Sequence, residues 1–200
     1  MSPASAPTEA TRDRIVAAAK NEFARHGIAG ARVDRIAREA KTSKERVYAY
    51  FRSKENLYGF VAGEELAAVA EATRMDPTDL PGYAGRVHDY FATHPDNYRL
   101  MMWGQLELAD AAPEPDDPVQ ETVRRKVTQL RQAQQAGQLD PSWDPLDILV
   151  FLNQLAASWA IPPSPIDSLQ RETFLADRRA AIVAAVQRLF PAATQPPTQK

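Results

Sequence analysis

Between residues 11 and 58 the apolar residues recur at helical spacing, and no alternating strand pattern competes with it anywhere in the chain. Ile15, Ala19 and Phe23 fall four residues apart and mark one buried stripe that stops at Gly27. Val33, Ile36, Ala37 and Ala40 keep the i, i+3, i+4, i+7 pattern over a very short helix. Ser43 stands where it can cap a third helix, with Val47 and Phe51 turned inward, and Ser53 can cap a fourth that runs towards Thr73. Three short helices on tight connections make a tri-helical unit, too small to be robust alone and so expected to lean on the helices after residue 58.

The rest of the chain is punctuated by proline and aspartate. Helices are predicted from about Pro81 to Thr93, Asp96 to Leu108 and Pro118 to Ala136, the last ending at Gly137. Asp144-Pro145 reads as an N-cap followed by a first-turn proline, opening a helix to about Ala160, and a final helix fills roughly Ser168 to Phe190. The acidic segment 110–118 and the proline-rich segment 161–167 read as loops. The expected fold is all-α: a flexible tail at 1–10, a tri-helical unit at 11–58, a helical body at 59–190 and a disordered tail at 191–200.

Composition narrows the function. The 200 residues are 44% hydrophobic, enough for a sizeable core, and contain no cysteine, which removes disulfides and zinc–thiolate sites. The N-terminus lacks a basic start followed by an apolar run, and the apolar run at Ile148–Leu152 is far too short to span a bilayer. A soluble, cytoplasmic protein without membrane partners is expected. Net charge is only −2, but it is unevenly placed. Residues 1–60 hold twelve Lys/Arg against seven Asp/Glu, and residues 61–200 hold twelve against nineteen. A basic head on an acidic body suggests that one end meets a polyanion.

The stretch KTSKERVYAYFRSKENLY, 41–58, concentrates that charge beside three tyrosines. In a helix-turn-helix the second helix lies in the major groove and reads bases from its first turns. With Val47 and Phe51 inward, Lys44, Glu45 and Tyr48 project outward, with Ala49 and part of Arg46, and the small Ala49 permits close approach to the groove floor. Cationic side chains neutralise phosphates, tyrosine hydroxyls donate to them, and the helix start at Ser53-Lys54 adds backbone N–H groups. A solvated basic face with half-buried tyrosines is the plainer reading of the same residues.

Segment 27–58, GIAGARVDRIAREAKTSKERVYAYFRSKENLY, resembles the DNA-binding head of TetR-family transcriptional regulators. The pattern is Gly27, Ile36-Ala37, Ala40, Ser43, Tyr48, Phe51, Lys54-Glu55 and Leu57, in register and without gaps. The resemblance implies base reading by Lys44 and Glu45 and phosphate contacts from Tyr48, Tyr50 and Lys54. With Arg32, Ser43 and Arg46 these form the candidate DNA-binding set. Three departures stand out. Ala31 and Arg32 replace the family's frequent threonine, so Arg32 would substitute by charge. Lys41 occupies a turn position where glycine is common, at a cost of about 1 kcal/mol if the backbone is left-handed there. Glu45 is an anion facing DNA, able to accept from a cytosine amino group or to pair with a neighbouring basic residue.

In the body, helix 145–160 is apolar nearly all round and the final helix is similarly broad, so either would expose an apolar patch if buried on one face only. Paired by a two-fold, two such helices per chain make a four-helix interface, which is also where the family dimerises. Phe151, Leu155, Ala157, Ala181, Ala185 and Leu189 are the candidate interface residues, and a homodimer would set two recognition helices about 34 Å apart on a palindromic duplex. Residues 88–108 mix large adaptable side chains with a few polar ones. His88, Phe91, Tyr98, Met102, Trp103 and Asn153 are the candidate lining of a small-molecule pocket. The same stripe also suits plain core, and the resemblance is what favours a pocket. His26, His88 and His94 lie in no metal-ligand spacing, and no phosphate loop or nucleophile elbow is present, so neither catalysis nor a cofactor is expected. The reading is a dimeric DNA-binding regulator, a repressor released from its operator by an unidentified small-molecule inducer. The rivals are a helical small-molecule carrier without DNA binding and an enzyme built on a helical bundle.

Overall fold

Most of the helices begin or end where a side chain or a backbone turn satisfies their free polar groups. The computed structural model describes residues 9–108, 117–161 and 171–191, and every regular element among them is an α-helix. These are α1 Glu9–Gly30, α2 Val33–Glu39, α3 Lys44–Tyr50, α4 Lys54–Thr73, α5 Leu80–Thr93, α6 Pro95–Glu107, α7 Pro118–Gln135, α8 Pro145–Ala157 and α9 Arg171–Leu189. The all-α expectation holds. The tails expected at 1–10 and 191–200, the acidic segment 110–118 and the proline-rich segment 161–167 fall mostly outside the described residues, although Glu9 and Ala10 already belong to α1.

Five of the starts are made by side-chain acceptors. Ser43 accepts from the Arg46 amide at 3.2 Å and Ser53 from the Asn56 amide at 3.0 Å. Asp79, Asp117 and Asp144 do the same for α5, α7 and α8, each with proline in the first turn. Two ends share one geometry. At α7, the Gln138 amide reaches Ala133 O and the Gly137 amide reaches Gln134 O, with Gly137 at φ 70°. At α2, Thr42 reaches Ala37 O and Lys41 reaches Arg38 O, but the left-handed residue is Lys41, at φ 52°.

The described residues divide into two compact units. One takes the residues up to Leu66 together with those from Asp96 to Leu108, and the other takes Ala67–Pro95 and the described residues from Asp117 onward. The first unit thus runs past residue 58 and takes in α6. Its core joins Ile15, Ala19, Phe23, Ile36, Val47, Leu57 and Val61 to Leu100 of α6. Phe23 meets Tyr58 edge-on at 5.3 Å, and the Tyr58 hydroxyl donates to Leu100 O at 2.8 Å. This is how a tri-helical unit too small for a full core acquires one.

α6 also closes the end of α1. Gly27 breaks that helix with φ 68° and ψ −176°. The Glu107 carboxylate accepts from the next two amides, Ile28 at 3.1 Å and Ala29 at 2.6 Å, while the Trp103 indole donates to Ala24 O at 3.3 Å. In the second unit α5 packs on α8 and α9, and α7 on α8. Leu80, Tyr83, Leu130, Ile148, Leu152 and Val186 are fully buried there.

Candidate nucleic-acid interface

α3 is fixed from below by Val47, 1% exposed, and by Phe51 just beyond its end, whose ring lies 5.5 Å from Phe60. Helical spacing then turns Lys44, Glu45, Tyr48 and Ala49 outward, and all four are exposed, as is Arg46. Tyr50 is half-buried against Phe51.

A salt bridge and two carbonyl contacts set the ammonium groups. Lys44 Nζ lies 3.2 Å from Asp34 Oδ1, and the Asp34 carboxylate raises the Lys44 pKa, so this lysine stays charged. Lys54 Nζ donates to Ala29 O at 3.2 Å and Ala31 O at 3.4 Å, tying α4 to the α1–α2 connection. Glu45 takes its hydrogen bonds from its own amide and the Ser43 hydroxyl, and these hold its carboxyl below the usual range. So Glu45 and Ser43 together serve the start of α3.

Arg32 begins α2 without a side-chain cap, as expected where threonine is missing. Its amide instead donates to Glu22 of α1 at 2.8 Å, and Arg35 adds a second hydrogen bond to the same carboxylate at 2.7 Å. Burial would raise the Glu22 carboxyl, but the Arg35 and Arg32 hydrogen bonds outweigh it and hold the pKa down. Nothing in the local spacing points to Glu22, because its partners lie ten and thirteen residues away.

Between α2, α3 and the start of α4 lies an open depression of about 480 Å³. Arg32, Lys44, Tyr48 and Lys54 of the candidate set line it, joined by Arg52, which lies outside that set. Asp34 and Glu55 are its carboxylates, so four cations face two anions. Arg52 is legible in sequence only as charge, since its place depends on how the α3–α4 turn is held by Phe51.

The remaining candidates divide between the two units. Tyr98, Met102 and Trp103 belong to the first unit, and His88, Phe91 and Asn153 to the second, so the six are not gathered in one unit. His88 is 2% exposed, its Nε2 3.3 Å from Leu175 O, while the exposed Asn153 meets the Tyr83 hydroxyl at 3.3 Å. Phe151 on α8 and Leu189 on α9 are exposed at 42% and 41%, as are Leu146 at 47% and Val150 at 44%, both on α8. Ala181 is exposed and Leu155 and Ala185 half-buried, whereas Ala157 is buried inside its own unit. Among the described residues no His/Asp/Glu group is placed to hold a metal ion, and no helix is long and apolar enough to cross a membrane.

Comparison with known proteins places the chain in a family. Residues 15–59 match the bacterial regulatory proteins of the tetR family, and residues 79–188 match the tetracyclin repressor-like C-terminal domain. The HTH-type transcriptional repressor SCO4008 of Streptomyces coelicolor is 40% identical over 153 residues, 76% of this chain and 79% of that protein. The repressor NicS of Pseudomonas putida is 34% identical over 98 residues, 46% of each chain. The crystal structure of SCO4942 from Streptomyces coelicolor superposes with a TM-score of 0.74 at 55% identity, covering 90% of this chain and 98% of that one. The chain therefore belongs to the TetR family of transcriptional regulators.

Proposed function

We propose that the protein is a homodimeric repressor that binds a palindromic operator in double-stranded DNA through α3 and leaves it when a small-molecule inducer occupies the second unit. The observation that carries the DNA half is the cationic depression beside α3, where Arg32, Lys44, Arg52 and Lys54 surround Tyr48. Lys44 and Arg46 reach base edges or phosphates from the start of the recognition helix, with Glu45 beside them, and Tyr48 and Tyr50 donate to phosphates. Ser43 and Lys54 contribute by fixing the helix ends that face the backbone. SCO4008 and NicS are both repressors, which supports the direction of regulation. A regulator of this kind works beside the chromosome, in the cytoplasm.

The dimer half rests on the exposed apolar residues of α8 and α9, Leu146, Val150, Phe151 and Leu189. A two-fold that covered them would add Ala181, Ala185 and Leu155 at close approach, with Ala157 supporting the face from beneath. Two weak heads then act as one tight binder through effective concentration.

Selection from random duplexes tests the proposal directly. A recovered palindrome with half-sites one helical turn apart is the expected result. Lys44→Ala should weaken binding, relax preference within each half-site and lower the salt slope of log K by roughly 2 for the dimer. No enrichment of any sequence, with no salt-dependent retention of DNA, would instead favour a small-molecule carrier.

A further inference from the structure

In the second unit, the last turns of α4 and the middle of α7 face each other across an open cleft of about 430 Å³, within the range of small-molecule sites. Ala67 and Ala70 leave its floor open, and Met75 supplies a soft apolar wall. The charges are unequal. Arg74 is already paired with Glu71, the cleft's own carboxylate, which leaves Arg125 and Lys126 on α7. Among the described residues neither has a carboxylate partner.

Lys126 is held in one orientation. Its Nζ donates to the hydroxyl of the fully buried Tyr83 at 2.8 Å and sits 5.1 Å from that ring's centroid. The Tyr83 hydroxyl in turn donates to Asn153 Oδ1 at 3.3 Å. An ammonium has three protons, so two remain beyond this bond on a residue that lines the cleft.

We infer that the α4–α7 cleft binds a small organic monocarboxylate, whose anionic group lies between Lys126 and Arg125 while a short apolar body rests on Ala67, Ala70 and Met75. A partly buried ammonium without an anion is costly, and a ligand carboxylate supplies the partner that the described residues do not. Burial, aided by the charge of Arg125, pushes Lys126 down to about 8, whereas burial pushes Tyr83 up to about 12 and keeps it a hydrogen-bond donor. The groups facing Lys126 are Tyr83 on α5, Arg125 on α7, and the mutually paired Glu71 and Arg74 at the end of α4. Carboxylate binding therefore draws in a proton above pH 8.

This rests on the reading of the second unit as an effector site, and the test separates the two. Titration calorimetry on the full chain compares benzoate and hexanoate with benzamide, hexanamide and inorganic phosphate. At least one acid should bind about tenfold or more tightly than its amide and than phosphate. At pH of about 8.5, binding should take up to about 0.7 proton, read from two buffers of different ionisation enthalpy. Lys126→Met should lose about tenfold in affinity and all proton uptake, and Arg125→Gln should lose affinity while keeping a smaller uptake, because burial still lowers Lys126 without the neighbouring charge. Circular dichroism confirms that both variants fold. Binding by neither acid, equal binding of acid and amide, equal binding of phosphate, or a Lys126→Met variant that still takes up the proton overturns the assignment. If an acid binds through Lys126 and operator retention in a mobility shift is unchanged, the site stands and the inducer reading fails.

Discussion

Replacing Gly27 with alanine measures how firmly α6 closes the end of α1. Two separate costs arise at this residue. Its backbone, at φ 68° and ψ −176°, lies in a region essentially restricted to glycine, which costs a side-chain-bearing residue about 1–3 kcal/mol. A Cβ there would also collide with Glu107 Oε1 and lie 3.0 Å from the Trp103 ring. The carboxylate can swing aside only by releasing the Ile28 amide, and a hydrogen bond to a charged group is worth about 1.5–3 kcal/mol. Alanine's stiffer unfolded chain returns about 0.4–1 kcal/mol. The net loss should be about 3 kcal/mol, a large part of the roughly 5–15 kcal/mol typical of a domain.

Urea unfolding followed by circular dichroism gives the total, and amide exchange at Ile28 and Ala29 gives the local part. The decisive comparison is a double-mutant cycle. In a Glu107→Ala background the collision is already gone, so Gly27→Ala should cost only its backbone share, with a coupling of about 1–3 kcal/mol. If Gly27→Ala costs the same in both backgrounds, or less than about 1 kcal/mol in the native one, the clasp between Glu107 and the end of α1 is not what the geometry indicates.

Three further outcomes can be checked. Lys41→Gly should raise stability by about 0.5–1 kcal/mol, because glycine at φ 52° relieves the left-handed strain that Gly137 already avoids in the matching position after α7; an unchanged urea midpoint would mean that Lys41 carries no strain. Stability should rise with pH from about 8 to about 10, since Lys126 titrates at about 8 when folded but near 10.4 when unfolded, so the unfolded chain holds the extra proton in that window. Above pH of about 10 the sign reverses as Tyr58 and Tyr83, raised to about 12 by burial, keep protons the unfolded chain loses. A Lys126→Met variant that shows the same rise rules out Lys126 as its source. Val150→Glu, at an exposed apolar position on α8, should give folded monomers with weakened DNA binding; sedimentation as a dimer would move the interface elsewhere.

What the residues settled alone is the local part. Ser43, Ser53, Asp144 and Gly137 act within four residues of themselves, so their caps and turns can be read before any distant partner is known. The same holds for the outward set on α3, because helical periodicity places Lys44, Glu45 and Tyr48 opposite Val47. Lys41 fits here too, because the left-handed turn it makes closes on Ala37 and Arg38, within four residues of it. The family pattern lies in this local stretch, and for that reason it is recognisable.

Tertiary structure decided what depends on distant neighbours. A Met and aromatic stripe on α6 looks alike whether it lines a pocket or closes a core, and the partners of Trp103 and Glu107 lie 78 or 79 residues away. Lys126 reads in sequence as one more exposed cation on α7, until Tyr83, 43 residues earlier, is brought beneath it. Ala157 and Phe151 share an apolar helix, yet one is buried in its own unit and the other is exposed, because nearly uniform hydrophobicity does not say which side its neighbours cover. Short-range hydrogen bonding and periodicity are written in adjacent residues; burial and charge pairing are properties of what the fold brings together.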